Sequence, residues 1–428
     1  MLSSWFGVGA ARARRLRRLP WVAVIFIVSP AWAASPVLTL DEALRQAVAH
    51  APMLAARRAQ TSAAQQESAR AGALPDPQLT VGIDNLAIQG PGAFTAGGDS
   101  MTMRTVGLTQ ALPSASKRQA ERAMGAANVE LAAAQETGTA LGIRQQVAGA
   151  WIGAWGAEHE RAMLVALQSV WAQDEAAANA RLRGGSGSAA DVLAARMEAL
   201  DLANRIDTVT AQEAQARAQL RRWLGDAADQ PLSDAPDFAA MPSDETALLA
   251  RLDQQAPLLG WAARERAAEA ALAEARADKH PQWSLGASYG SRVRGLSDMV
   301  SLQVGVSLPL FTRNRQDRGI SARAAELDAV QAEHEDARRQ QAEAVQAAWA
   351  QWQALGRKVR RHRDVLLPLA SDRSALALAA YRGGGDIQPL LQARRDELSH
   401  HADYARMQAD YGRAWAALAY LLPEGDTP

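Results

Sequence analysis

Cysteine is absent from all 428 residues, which excludes a disulfide framework, a thiolate metal site and a cysteine nucleophile. Aromatic residues make up only 5% of a chain that is 48% hydrophobic, so alanine carries most of the apolar content. Large core-filling side chains are therefore scarce. That composition disfavours a compact globular enzyme and favours long helices whose seams use small residues. No excess of positive charge is present either. Lys and Arg number 46 against 46 Asp and Glu, and residues 1–33 alone hold five arginines and no acid, which leaves 41 against 46 beyond them. A mildly acidic remainder lacks the basic surface that phosphate backbones need, so nucleic acid is not an expected partner. No nucleophile elbow or dinucleotide fingerprint occurs, and the Gly184-Gly185-Ser186-Gly187-Ser188 run lacks both the lysine and the preceding strand of a phosphate-binding loop. No enzymatic activity, cofactor or catalytic residue is expected.

At the N-terminus, Arg12, Arg14, Arg15, Arg17 and Arg18 precede the apolar run Trp21 to Val28, followed by Ser29, Pro30 and the small-residue site Ala31-Trp32-Ala33. This pattern reads as a secretory signal over 1–33, cut after Ala33. The run is too short to span a bilayer, and no later segment approaches the roughly 20 apolar residues of a membrane helix. The remainder is expected to be soluble, peripheral or inserted as strands.

What the sequence does contain is an internal duplication. Ala51-Pro52-Met53-Leu54 has a counterpart in Ala256-Pro257-Leu258-Leu259, Pro77-Gln78-Leu79 in Pro281-Gln282-Trp283, and Gln110-Ala111-Leu112-Pro113 in Val306-Ser307-Leu308-Pro309. Arg183-Gly184-Gly185 matches Arg382-Gly383-Gly384, and Leu193-Ala194-Ala195-Arg196 matches Leu391-Gln392-Ala393-Arg394. The offsets run 205, 204, 196, 199 and 198, so order is kept and only small insertions differ. The first repeat, 34–225, is expected to hold a helix, strands at about 78–86 and 101–112, a long helix at about 115–183 and a return helix at about 189–224. A linker with Pro231, Pro236 and Pro242 fills 226–245. The second repeat, 246–424, then holds a helix, strands at about 282–290 and 299–309, a long helix at about 315–381 and a return helix at about 386–422. Pro368 is expected to kink or end that long helix.

The strands alternate. Trp283, Leu285, Ala287 and Tyr289 oppose Ser284, Gly286, Ser288 and Gly290, while Val300, Leu302, Val304, Val306 and Leu308 oppose Ser301, Gln303, Gly305 and Ser307. In the first repeat Leu79, Val81 and Ile83 oppose Thr80, Gly82 and Asp84; Val106, Leu108 and Leu112 make a weaker partner with Gln110 on the apolar face. Ten residues at about 3.4 Å, tilted about 45°, rise about 24 Å, the height of an outer-membrane barrel's apolar band. A half-buried soluble sheet has the same alternation, but faces of Gly and Ser supply little to fill a core. The proline-free helix after Pro113 would be about 100 Å long at 1.5 Å per residue. Its stripe, Ile143, Val147, Trp151 and Trp155, then Leu164, Leu167 and Trp171, reads as a packing seam, repeated by Trp349 and Trp352.

Four strands cannot close a barrel, and an open sheet would leave unpaired backbone groups in lipid at several kcal/mol each. Several chains would have to share one barrel. With the duplicated plan, Leu40-Asp41-Glu42-Ala43-Leu44 before Ala51-Pro52, Val306-Ser307-Leu308-Pro309-Leu310-Phe311 with Arg313-Asn314, and two glycine turns each followed by a helix, notably Ala190-Asp191-Val192-Leu193, the chain resembles the TolC-like outer-membrane efflux family over essentially its whole mature length. Leu74-Pro75-Asp76-Pro77-Gln78-Leu79 and the segment from Val106 to Arg118 resemble the heavy-metal branch, the CzcC and CusC type. The resemblance implies a mainly helical chain with a membrane β-barrel: a homotrimer sharing a 12-strand barrel in outer-membrane lipid, continued by an α-helical tunnel through the periplasm. It implies a passive exit duct, possible cargo being heavy-metal cations, with an inner-membrane pump of the RND type and a periplasmic adaptor (membrane fusion protein) as partners. Lacking cysteine, the chain would carry no lipid anchor. A soluble periplasmic coiled-coil adaptor or scaffold is the competing reading, which leaves the alternating strands without purpose.

In such a duct the glycine turns form the periplasmic tip. The adaptor contacts would be Arg183, Gly184, Gly185 and Ser188 on one turn and Arg382, Gly383, Gly384 and Gly385 on the other. The resemblance places the closing gate at Asp191 and Tyr381, with Asp386 where the family carries an arginine and Arg183 or Arg382 as substitutes. Of the seven histidines only His400 and His401 are close in sequence, and adjacent helical residues about 100° apart chelate poorly, so no metal site is expected.

Overall fold

The computed structural model describes residues 37–293 and 295–423; the expected signal over 1–33 lies outside them. The first half runs α1 (Leu40–His50), α2 (Pro52–Arg70), β1 (Gln78–Asp84), β2 (Met103–Leu112), α3 (Ala115–Arg183) and α4 (Ala189–Leu224). The second runs α5 (Glu245–Ala250), α6 (Trp261–Ala277), β3 (Gln282–Ser291), β4 (Met299–Ser307), α7 (Gln316–Arg361), α8 (Leu367–Arg382) and α9 (Gln388–Ala419). Each opening helix is broken where one was expected. Pro52 cannot donate to a preceding turn, so α1 stops at Ala51 and Pro52 starts α2 afresh. In the second half α5 and α6 are separated by a short 3₁₀ turn, Leu252–Gln254.

The long second helix does not end at Pro368. Between α7 and α8 the chain passes through a π turn, His362–Leu366, in which the Leu367 amide bonds back to the His362 carbonyl. Pro368 falls at the second position of α8, where its missing N–H is tolerated. The helical run is thus widened locally instead of stopped.

The four strands form one sheet in the order β1-β2-β3-β4, all antiparallel. Pairing of β2 with β3, from Arg104↔Ser291 to Leu112↔Trp283, fuses the two hairpins. The register places Leu79 beside Leu108, Val106 beside Tyr289 and Leu285 beside Val304 on one face. That face is exposed, with Val81, Val300 and Leu302 all more than 70% accessible. That face also carries Arg104, paired with Ile83 and Ser291 near the hairpin loop, and Gln110, whose amide donates to the Pro75 carbonyl (2.7 Å) and the Ala111 carbonyl (2.9 Å). The opposite face carries Thr80, Gly82, Thr105, Gly107, Thr109, Ser284, Gly286, Ser288, Ser301, Gln303 and Gly305, and Asp84 is its one charged strand residue.

The core lies where α1, the middle of α3, the end of α9 and the inter-repeat segment meet. That segment is bound, not free. Leu38 bridges Leu232 in parallel, with Leu38 N–H donating to the Pro231 carbonyl at 2.8 Å. Three indoles anchor the same region: Trp151 donates to the Leu38 carbonyl (3.1 Å), Trp352 to the Phe238 carbonyl (3.0 Å) and Trp415 to the Ala240 carbonyl (2.8 Å). Trp151 and Trp352 of the expected stripe therefore pack and also supply hydrogen bonds that buried backbone requires, joined by Trp415 from outside the stripe. Among the described residues no helix is long and apolar enough to cross a membrane.

Gly412 of α9 lies so close to the Phe238 ring that a Cβ would sit 2.6 Å from it and 2.9 Å from Ile152. Gly412→Val is therefore expected to destabilise the fold by about 1–3 kcal/mol through overpacking. A lowered midpoint in thermal unfolding of the detergent-solubilised protein would show it; an unchanged midpoint would mean that the linker can move aside.

Candidate functional site: the paired helical tips

Both long hairpins reverse through glycine. At the end of α3 the Gly184 amide bonds to the Ala180 carbonyl (3.0 Å), and Gly185 adopts φ +72°, a left-handed conformation that favours glycine. Ser188 then opens α4 with a capping box: its hydroxyl accepts from the Asp191 amide (3.1 Å) while the Asp191 carboxylate accepts from the Ser188 amide (3.0 Å). At the end of α8 Gly384 has φ +100° and the Gly385 amide closes on the Ala380 carbonyl at 3.0 Å. Asp386 is exposed and accepts from the Gln388 amide at 3.3 Å.

The structure brings the two turns together through a residue that the sequence reading missed. Arg181, in the last turn of α3, donates to the Tyr381 carbonyl (3.1 Å), the Gly385 carbonyl (2.9 Å) and the Ser186 carbonyl (3.1 Å). Its guanidinium also lies over the Tyr381 ring, 4.4 Å from the centroid. One planar, permanently charged fork thus satisfies carbonyls from both turns. The expected substitutes are elsewhere: Arg183 and Arg382 are exposed, and neither forms an ion pair with a described residue. Tyr381 is buried among Leu164, Trp171, Ile387 and Leu390, and its hydroxyl has no hydrogen-bond partner among the described residues. Asp191 acts locally as a helix cap. Only one copy has the arginine, because at the 199-residue offset of the glycine turns Arg181 corresponds to Ala380.

Higher on the same helices lies a buried charge group. Arg394 of α9 pairs with Asp174 of α3 at 3.0 Å and with Glu397 at 3.1 Å; all three side chains are at most 14% exposed. Burial pushes the Asp174 carboxyl above its ordinary 3.8, against the pull of Arg394, its hydrogen bond and Arg382. Glu160 and Arg406 make a second α3–α9 pair at 3.1 Å. Burial likewise lowers the His401 imidazole, and His362 meets the His400 ring edge-on at 6.1 Å.

The Outer membrane efflux protein family model matches residues 249–423. The second repeat is thus similar to the outer membrane efflux family. The chain is 27% identical over 315 residues to the nickel and cobalt resistance protein CnrC of Cupriavidus metallidurans, covering 72% of each chain. It is 26% identical over 348 residues to the nickel-cobalt-cadmium resistance protein NccC of Alcaligenes xylosoxydans xylosoxydans, covering 77% of this chain and 76% of that one. Among solved structures, CusC superposes with a TM-score of 0.77 at 16% identity over 90% of this chain and 92% of its own. VceC of Vibrio cholerae gives 0.73 at 16%, over 89% and 94%. The fold is therefore that of the efflux channels, a barrel continued by a helical tunnel, to which this chain contributes four strands. Sheet and tips stand at opposite ends of the long helices.

Two outcomes are expected at the tips. Arg181→Ala should speed hydrogen exchange at the amides of both turns, Gly383 to Gly385 as well as Ser186, and Arg181→Lys should restore little, because an ammonium cannot serve carbonyls on two turns at once. Exchange confined to the α3 turn would show that Arg181 does not couple them. For Asp174, a pKa raised on folding contributes stability that is complete below the unfolded value and is lost as pH climbs through the folded one. Asp174→Asn should therefore flatten the fall in melting temperature as pH rises above about 4. Equal slopes would remove Asp174 as its source. Arg394→Leu strands both acids and should cost about 3–5 kcal/mol.

Proposed function

We propose that this chain is the outer-membrane exit duct of a tripartite exporter of divalent heavy-metal cations. Three copies would share a 12-strand barrel, since the outer faces of β1 and β4 are apolar and their edges lack strand partners within the described chain. The observation that carries the reading is the contrast between the two faces of one sheet. A lipid-facing side of Leu, Val and Ile, charged only at Arg104 near the hairpin loop, backs an inner side of Gly, Ser and Thr, charged only at Asp84. Such a lining lets a hydrated cation pass without holding it. The nickel, cobalt and cadmium named for the relatives support that class of cargo.

The duct is passive and has no catalytic role; an inner-membrane pump supplies the energy. The exposed turns, Arg183 to Ser188 and Arg382 to Gly385, offer the adaptor contacts, and Asp191, Tyr381 and Asp386 stand where the gate would act. The test has three arms. Purified protein should have the mass of three chains in detergent and conduct in planar bilayers, and its removal should sensitise the parent organism to nickel and cobalt, with recovery on re-expression. Conduction with no metal phenotype would retain the duct and discard the cargo; a monomer without conductance would discard both. If Asp191 helps hold the tip shut, Asp191→Ala should lengthen open times, and an unchanged trace would remove it from the gate.

A further inference from the structure

The apolar face of the sheet continues past its last strand. Leu308 and Leu310 extend the series Val300, Leu302, Val304 and Val306 beyond the end of β4, and Phe311 follows before α7 begins. Exposure climbs along this run, from 60% at Leu308 through 74% at Leu310 to 86% at Phe311, the most accessible large apolar side chain among the described residues. At the foot of β3, opposite Val306, the Trp283 indole is exposed as well. Charge begins just beyond. Arg313 and Arg315 are exposed, and neither forms an ion pair with a described residue. The neighbouring lysines are occupied: Lys117 bonds Asp278 (3.0 Å) and lies 3.7 Å from Glu274, and Lys279 pairs with Asp317. Between these groups opens a cleft of about 580 Å³, lined by Leu308, Leu310, Phe311, His280 and Arg315. Higher on the same face, Leu108, Leu285, Leu302 and Val304 surround Ala287 and leave an apolar hollow of about 410 Å³. From Gln282 to Ala287 the strand runs about 17 Å, or about 12 Å of depth at a tilt of about 45°.

We infer that the foot of the second hairpin binds one anionic phospholipid of the inner leaflet, its phosphate held by Arg313 and Arg315 in the cleft and an acyl chain lying in the Ala287 hollow. This rests on the duct reading, which puts the sheet in the outer membrane and the helices in the periplasm. Three features select the ligand. Water disfavours the exposed Leu310 and Phe311, whereas the region where acyl chains meet headgroups accepts them. Two guanidiniums on long stems reach phosphate oxygens from that level, and each planar fork can bind two of them. The hollow lies above the cleft within the roughly 15 Å that one leaflet's hydrocarbon occupies, so a single lipid spans both. A headgroup with net negative charge is favoured over a zwitterionic one, because an ammonium beside two guanidiniums is repelled. The site occurs once per chain. At the 196-residue offset of the strands, Leu310, Phe311, Arg313 and Arg315 correspond to Ser114, Ala115, Lys117 and Gln119, which are small, neutral or already paired. A lipid held there fixes how deep the second hairpin sits in the bilayer.

Native mass spectrometry of the full chain in detergent, with dioleoylphosphatidylglycerol or dioleoylphosphatidylcholine added, tests the site. Particles of three chains should retain three molecules of phosphatidylglycerol and far less phosphatidylcholine. Arg313→Gln combined with Arg315→Gln should weaken that retention about thirtyfold while the particle mass stays that of three chains. Ala287→Phe, which fills the hollow, should weaken it independently, and glycerol 3-phosphate at equal concentration should not displace the lipid. Equal retention of the two lipids, or retention unchanged in both variants, would overturn the site and leave the duct standing. Displacement by glycerol 3-phosphate would assign the cleft to a soluble anion and overturn the lipid. So would a photocrosslinker at Phe311 that, in cells, joins the chain only to protein, whether a second copy or another chain. Particles with the mass of one chain would remove the duct and the site together.

Discussion

β1 and β4 each leave a row of backbone N–H and C=O groups without a strand partner, and in hydrocarbon every such group costs several kcal/mol. Seven residues of β1 and nine of β4 are involved, so the penalty exceeds the whole stability of an ordinary domain. Water could solvate those edges, but the same strands turn exposed Leu, Val and Ile outward, which water disfavours. Only a closed ring in lipid satisfies both faces and both edges. The rest of the molecule is consistent with that demand: the helices extend away from the sheet instead of folding back over it, because covering the apolar face would defeat insertion.

Duplication supplies the scaffold and then departs from symmetry where the two halves meet. Both repeats offer a hairpin and a glycine turn at nearly constant offset. Yet the tips are joined by Arg181, which has only Ala380 as its counterpart, and the second long helix alone contains the π turn at 362–366. Two identical tips would each need a partner for the carbonyls freed by a left-handed glycine. One arginine placed between them serves both, so the second is dispensable.

The parts legible in sequence were those governed by local periodicity. Alternation of Trp283 to Tyr289 and of Val300 to Val306 located strands, small residues marked the inner face, and the absence of proline marked a helix of about 100 Å. Contacts between distant segments were not legible. Nothing local to Arg181 distinguishes it from a solvated arginine in a last helical turn; its partners lie about 200 residues on, at Tyr381 and Gly385. The Arg394–Asp174 pair spans 220 residues, and an aspartate inside a helix ordinarily reads as surface. The segment 226–245, rich in proline, reads only as a linker between the repeats, and its sequence does not announce that the Trp352 and Trp415 indoles hold its carbonyls. Turn composition reports the local backbone, not what the backbone is bound to.

The arrangement of polar and apolar contacts along the helices has a mechanical consequence. Within one chain, α3 and α9 are tied by charge pairs, Glu160–Arg406 and Asp174–Arg394, whose geometry is directional and whose burial makes partial separation costly. On the outer sides of α4 and α8 exposed aliphatic residues such as Leu193, Met197, Leu369 and Leu376 make no directional contact of this kind. Charge pairs therefore fix α3 against α9 within the chain, while the outer sides of α4 and α8 are held by no comparable contact of their own chain. Arg181 extends the stiffness to the end of the chain, so that both turns of one copy move as one body.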